Sequence, residues 1–272
     1  MTHPELETVL IELRDRVAVV TLNRPEAMNA WNATLSHDLD TALDWASTNQ
    51  EVGAVVITGA GRACCAGADL SSGGDTFARG VGRPAAETSN PRRLPWDVPK
   101  PVIAAVNGHA VGVGATYALT CDLRLVATEA KIGFVFTRRG MLPELASHAV
   151  LPAVVGQQHA TDLLLSGRII TGDEAAALGL ALAAVPAAEV VDRAVERAQD
   201  MAANAAPMSM AISKRLLWDR IGVRQMMARE QPLFDWVAGQ PDSVEGVTSF
   251  LEKRPPRWQL TASEATLDEL FG

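Results

Sequence analysis

No apolar run in this 272-residue chain approaches the roughly 18 to 20 residues that a membrane-spanning helix needs, so no membrane partner is expected. The opening MTHPELETVLIELRD has early acids and neither the basic start nor the apolar stretch of a secretory signal. A cytoplasmic location is therefore expected. Positive charge is also short: 24 Lys and Arg stand against 32 Asp and Glu, a net charge of -8. That balance argues against affinity built on neutralising nucleic-acid phosphates. Cysteine is scarce and odd in number, with Cys64 and Cys65 adjacent and Cys121 alone, which is neither a disulfide framework nor a zinc spacing. We read all three as reduced thiols, and no metal site is expected. No histidine or base motif accompanies Cys65 to make it a nucleophile. Internal repeats, low-complexity tracts, the GxGxxG fingerprint and the GK[ST] phosphate-loop ending are all missing.

The remaining composition, 48% hydrophobic and 21% charged, is that of an ordinary globular protein. The length allows one large domain, or a core with a smaller appendage. Thr8 to Arg14 and Val17 to Leu22 alternate like paired strands across an Asp15-Arg16 turn. Thr34 to Ala46 sets Leu35, Leu39, Ala42, Leu43 and Ala46 at helical spacing. Short buried runs at Ala54 to Thr58, Val102 to Val106 and Leu123 to Ala127 alternate with helices, which predicts an α/β architecture with parallel strands. Beyond Ala187 helical periodicity dominates, through Val190 to Ala202, Met208 to Trp218, Gln225 to Val237 and Val244 to Glu252. The stretch from 71 to 98, crowded with glycine and proline, reads as a loop, either a lid or a disordered segment. The tail Thr261 to Gly272 is either a docking helix or a frayed end.

Two turns have the composition of a ligand cradle. Arg62-Ala63-Cys64-Cys65-Ala66-Gly67-Ala68-Asp69 follows a buried strand and holds small residues before an expected helix start at Asp69. Asn107-Gly108-His109-Ala110-Val111-Gly112-Val113-Gly114 feeds a helix running to about Leu119. Small side chains let a ligand reach the backbone, and amides opening a helix are free to donate.

Together with Asn23-Arg24-Pro25 through Met28-Asn29-Ala30, Lys100 to Gly108, Cys121-Asp122, Leu165 to Arg168 and Phe250 to Arg254, these turns resemble the crotonases, the enoyl-CoA hydratase/isomerase superfamily, from about Val9 to Arg257. The resemblance implies an α/β spiral of ββα turns over residues 1–200 that binds and transforms a coenzyme A thioester. It implies a C-terminal helical region over 201–272 that closes the pocket and packs a homotrimer or hexamer. No prosthetic group is implied, since coenzyme A arrives as part of the substrate. By position, the oxyanion hole falls on the amides of Cys65 and Val113, where the family more often has glycine in place of Val113. The adenine-facing segment falls on Cys65, Ala66, Gly67 and Ala68 with Ala27 and Met28 nearby, and Lys253 matches a basic residue that meets the coenzyme's phosphates from a neighbouring subunit.

The two glutamates of the family's hydratases fall on Thr116 and Phe136, neither of which exchanges protons near neutral pH. A third acidic position, used by the isomerases, holds Glu144, in a setting read as the opening of a helix ending near Leu151. Isomerase-type chemistry with Glu144 as the single base is therefore favoured. An acyl-CoA binding protein without turnover, or a hydrolase or lyase on the same fold, stand as alternatives. His109 reads as a bystander. His148 either bonds Glu144 or faces solvent. Asp69 reads as a helix cap, and Asp122 as a structural acceptor. Arg138-Arg139 is either a solvated pair or a support for the acid's loop. Trp96 and Tyr117 either line the acyl pocket or pack in the core.

Overall fold

The structure, a computed structural model, describes residues 3–71, 73 and 93–272. Strands β1 (Val9–Arg14) and β2 (Val17–Leu22) pair antiparallel, with Val9 opposite Leu22 and Arg14 opposite Val17. Asp15 and Arg16 both take positive φ, 44° and 64°, as in a two-residue hairpin turn whose twist matches its strands. Helix α1 (Ala33–Thr48) follows; the Asn32 side chain caps it by accepting from the Leu35 amide at 2.8 Å. Its Leu35, Leu39, Ala42, Leu43 and Ala46 are all buried, the face that their spacing predicts.

The chain then delivers strands to two sheets at once. Strand β3 (Ala54–Gly59) is followed closely by β4 (Ala63–Cys65), β5 (Val102–Val106) by β6 (His109–Val111), and β7 (Leu123–Ala127) by β8 (Lys131–Gly133). The longer strands join a six-stranded sheet ordered β1-β2-β3-β5-β7-β10, closed by β10 (Ala183–Val185). The shorter ones form a second sheet ordered β4-β6-β8-β9, with β9 at Ile169–Thr171. Each turn of chain thus lays one strand in each sheet, which is a spiral. Helices α2 (Val113–Leu119), α3 (Ser147–Val155), α4 (Gln157–Ser166), α5 (Gly172–Ala177) and α6 (Val190–Asn204) fill the remaining layers, with α6 across β3 and β5.

Two expected helix starts are not where the residue pattern put them. At Asp69 no helix begins, because the Asp69 amide donates to the Trp31 carbonyl at 2.9 Å and the chain passes into a turn. The helix expected to open at Glu144 begins at Ser147 and runs to Val155, since Leu145 and Ala146 hold left-handed φ of 52° and 53°, which a right-handed helix does not admit.

Helices α7 (Pro207–Asp219), α8 (Val223–Ala238), α9 (Pro241–Glu252) and α10 (Glu264–Phe271) complete the chain around a second apolar cluster of Met208, Ala211, Ile212, Leu233 and Leu267. The tail is a docked helix: Leu267 is buried and Glu264 accepts from Ser47 and Arg93. Phe234, Phe250, Leu251 and Leu217 on α7 to α9 are exposed. Of the expected 71–98 loop, residues 72 and 74–92 lie outside the described residues. Its far end packs Trp96 on Trp218, ring centroids 5.2 Å apart. No described helix is long and apolar enough to cross a membrane.

Candidate active site

The two small-residue turns touch backbone to backbone. A Cβ on Gly114 would stand 2.2 Å from the Cys65 carbonyl oxygen, and one on Gly108 2.2 Å from that of Arg62. Any other residue there would force β4 away. Gly112 and Gly67 add positive φ, 56° and 109°, where the turns face each other.

A third segment clamps this pair from outside. The Ala66 amide donates to the Met28 carbonyl at 3.1 Å, and the Trp31 amide to that of Gly67 at 2.7 Å. Asn29, fully buried with φ of 55°, donates through Nδ2 to the carbonyls of Ala60 and Ala63 at 2.9 and 2.8 Å and accepts from the Arg24 amide. Arg24 pairs with Asp69 at 3.0 Å. Asp69 is thus no helix cap. Bonds from Ser71, with the Arg24 guanidinium, hold its carboxyl below the usual carboxylate range.

A cavity of about 450 Å³ runs along the turns, with Ala66, Gly67 and Ala68 on one side of their junction and Val111, Gly112 and Val113 on the other. Val113 is the first residue of α2, so its amide has no helical carbonyl one turn back to bond. Cys65 ends β4 directly behind Ala66 and does not itself line the cavity. Ala27 and Met28 do not line it, and Met28 touches the turn through its carbonyl, which accepts the Ala66 amide. Lys253 caps α9, exposed and off this cavity's wall. Burial pushes all three thiols up, Cys65 to about 11 and Cys121 to about 12, which disqualifies them as nucleophiles near neutral pH.

A second wall is formed by Val135, Phe136, Arg139, Met141, Leu142 and Glu144. Glu144 is the one carboxylate on the described lining, and it is exposed in the single chain. The Thr116 hydroxyl, fully buried on α2, donates to Glu144 Oε1 at 3.2 Å. The structure therefore brings Val113, Ala66, Gly67, Ala68 and Glu144 to one cavity, with Thr116 and Phe136 beside the acid.

The other candidates fall outside it. His109 is half-buried and accepts from the Lys131 amide at 3.3 Å. His148 is exposed on α3, with no hydrogen bond to Glu144 among the described residues. Asp122 is a structural acceptor, taking the Val102 amide at 2.7 Å, Trp218 Nε1 at 2.9 Å and Lys214 at 2.8 Å. Trp96 packs in the core, and Tyr117 lies one layer behind Trp31, which does line the cavity. Arg138 ties down the acid's loop, donating to the Ser166 carbonyl at 2.7 Å. Arg139, one of the expected arginine pair, lines the cavity, and Trp31, Leu70, Met141 and Leu142 are lining residues that the sequence reading did not single out.

Comparison with known proteins agrees with this geometry: the Enoyl-CoA hydratase/isomerase family model matches residues 12–261. The chain belongs to the enoyl-CoA hydratase/isomerase family. A solved structure from Mycobacterium abscessus, described as a probable enoyl-CoA hydratase/isomerase, superposes with a TM-score of 0.83 at 37% identity, covering 92% of this chain and 98% of that one. The short-chain-enoyl-CoA hydratase of Clostridium acetobutylicum is 34% identical, covering 92% of this chain and 97% of that protein. The 2,3-dehydroadipyl-CoA hydratase of Escherichia coli is 32% identical, with 92% and 98% covered. This is a crotonase-type fold, and an acyl-CoA thioester is the substrate class that the family implies.

Proposed function

We propose that this enoyl-CoA hydratase/isomerase family enzyme shifts a double bond along an acyl-CoA thioester. In this reading the Cys65 and Val113 amides hold the thioester oxygen, and Glu144 takes a proton from the carbon beside the carbonyl. The electron pair passes to the held oxygen as a dienolate, and Glu144 returns the proton two carbons along. The observation that carries it is Glu144, the one carboxylate on the described lining of the cavity that Val113 also lines, with Thr116 and Phe136 at the positions where the resemblance puts a hydratase's acids. The coenzyme's adenine would lie against Cys65 to Ala68, backed by Ala27 and Met28. The exposed Leu217, Phe234, Phe250 and Leu251 support burial against further copies, in a trimer or hexamer where Lys253 meets a neighbour's coenzyme phosphates. On this reading residues 1–200 carry the site, while 201–272 close it and join subunits.

Hydration is the second reading, favoured by the names of the relatives. Both are tested by offering a 2-enoyl and a 3-enoyl thioester to the purified protein. Isomerisation should fall by roughly 10²- to 10⁴-fold in Glu144→Gln. Rapid hydration of the 2-enoyl substrate that Glu144→Gln leaves untouched would overturn the isomerase reading, and tight binding without turnover would make the protein an acyl-CoA binder.

A further inference from the structure

Thr116 is fully buried, yet its hydroxyl has more than one partner in reach. Oγ1 lies 3.2 Å from Glu144 Oε1, 3.3 Å from the Val113 carbonyl oxygen and 3.5 Å from that of Gly112. A threonine hydroxyl has one proton to give and lone pairs to accept with, whereas a main-chain carbonyl can only accept. Glu144 can do either, depending on whether it carries a proton. When the acid is ionised, the Thr116 proton belongs on it, as a charge-assisted bond. When the acid is protonated, its own O–H can donate to Oγ1, and the Thr116 proton turns to the Val113 carbonyl. Both states are satisfied by rotating one hydroxyl hydrogen, with no heavy atom displaced.

The rest of the acid's surroundings makes this contact matter. Among the described residues, Thr116 is the only side chain hydrogen-bonded to the Glu144 carboxyl. The backbone after Glu144 turns through two left-handed residues, and the residue is exposed. Without Thr116 the carboxyl is free to swing toward water and trade its proton there.

We propose that Thr116 is a positioning residue that serves Glu144 in both protonation states and keeps the abstracted proton on the acid until it is returned. This rests on the reading of Glu144 as the base. The bookkeeping closes without a co-reactant: a C–H bond breaks as the Glu144 O–H forms, the electron pair is held as the dienolate, and the reverse step at the γ carbon restores the carboxylate.

The test compares Thr116→Val, which keeps the shape and loses the hydroxyl, with Thr116→Ser, which keeps the hydroxyl. The full chain is assayed on a 3-enoyl thioester in H₂O and, as single turnovers, in D₂O. Losing a hydrogen bond to a charged group should lower kcat by roughly ten- to a hundredfold in Thr116→Val, with KM changed less than about twofold and most of the loss restored by Thr116→Ser. In D₂O the valine variant should place more solvent deuterium at the γ carbon than wild type or the serine variant does. A kcat loss that serine does not restore, or unchanged isotope retention, overturns the proposal and leaves Thr116 a packing residue. If Thr116→Val does not fold, as judged by its melting transition, Thr116→Ala is read by the same criteria. Glu144→Gln is run alongside: wild-type isomerisation in that variant defeats the reading of the base itself, whereas an inactive Glu144→Gln with an unaffected Thr116→Val defeats only the role of Thr116.

Discussion

The two walls of the cavity are built by opposite means. The wall of β4, β6 and the start of α2 is main chain pressed on main chain, with Gly108 and Gly114 admitting contacts that a Cβ would forbid and Asn29 pinning the carbonyls of Ala60 and Ala63. The wall from Val135 to Glu144 is a loop with open space around Gly140 and, among the described residues, one hydrogen bond on its carboxyl. In the proposed mechanism the first holds the thioester oxygen, and its close main-chain contacts suit that task. In the same proposed mechanism the second carries a proton between two carbons, its acid resting, among the described residues, on one adjustable contact. Placement of charge needs rigidity, and proton return needs a short, guided reach.

The most forceful way to break this contrast is one methyl group on each wall. Gly114→Ala would drive a Cβ into the Cys65 carbonyl, where only backbone can give way. Loss of soluble, folded protein, or a melting point lowered well beyond 10 °C, is expected. Gly140→Ala meets nothing within 4 Å and carries only the cost of alanine at φ of 69°, about 1 to 2 kcal/mol. A shift of a few degrees in a thermal melt is expected there. Equal shifts in the two variants would dissolve the distinction between the walls.

A gentler probe removes one donor and leaves the wall standing. Val113 opens α2, a position where proline is well tolerated because its missing N–H is an orphan anyway. Val113→Pro should therefore fold while losing the amide assigned to the thioester oxygen. A fall of about 10²- to 10³-fold in kcat with little change in melting temperature is expected. Unchanged turnover would take Val113 out of the oxyanion hole.

How much of this was readable in advance follows the same division. Elements with a sustained pattern, such as α1 with its buried Leu35, Leu39 and Leu43, or β3 and β5 with their continuous apolar runs, emerged close to their expected bounds. The second sheet did not, because three-residue strands such as β4 and β8 show no period; β4 is set in place by close backbone contacts at Gly59 and Gly108. The helix expected at Asp69 gave way to a long-range bond to Trp31, a competition that local composition does not reveal. At the site, the two turns were visible as glycine-rich stretches, and their pairing as an oxyanion hole came from the family resemblance. The Thr116 contact with Glu144 joins residues 28 positions apart, which no local pattern encodes.

The smallest expected effect concerns the thiol behind the rigid wall. Burial raises the Cys65 thiol from 9.0 to about 11, so the folded form keeps a proton that the unfolded chain gives up. This contribution to stability is constant below about pH 9 and is lost as pH rises from 9 toward 11, by at most roughly 1.4 kcal/mol per pH unit. Lys100 acts in the other sense: burial lowers it from 10.5 to about 8, so stability rises with pH across that interval. The bare pH profile therefore mixes opposed slopes. The difference between wild type and Cys65→Ala in urea midpoints at pH 8, 9 and 10 isolates the thiol, and it should be flat to pH 9 and then move in favour of the variant. Labelling at pH 8 extends the contrast to the other wall. Cys65 should react with a thiol reagent only as fast as the protein opens, whereas Met141→Cys, at a position 37% exposed, should react at once. Prompt labelling of Cys65 in the native protein would mean that the main-chain wall opens locally, and the oxygen-holding role would then need a different source of rigidity.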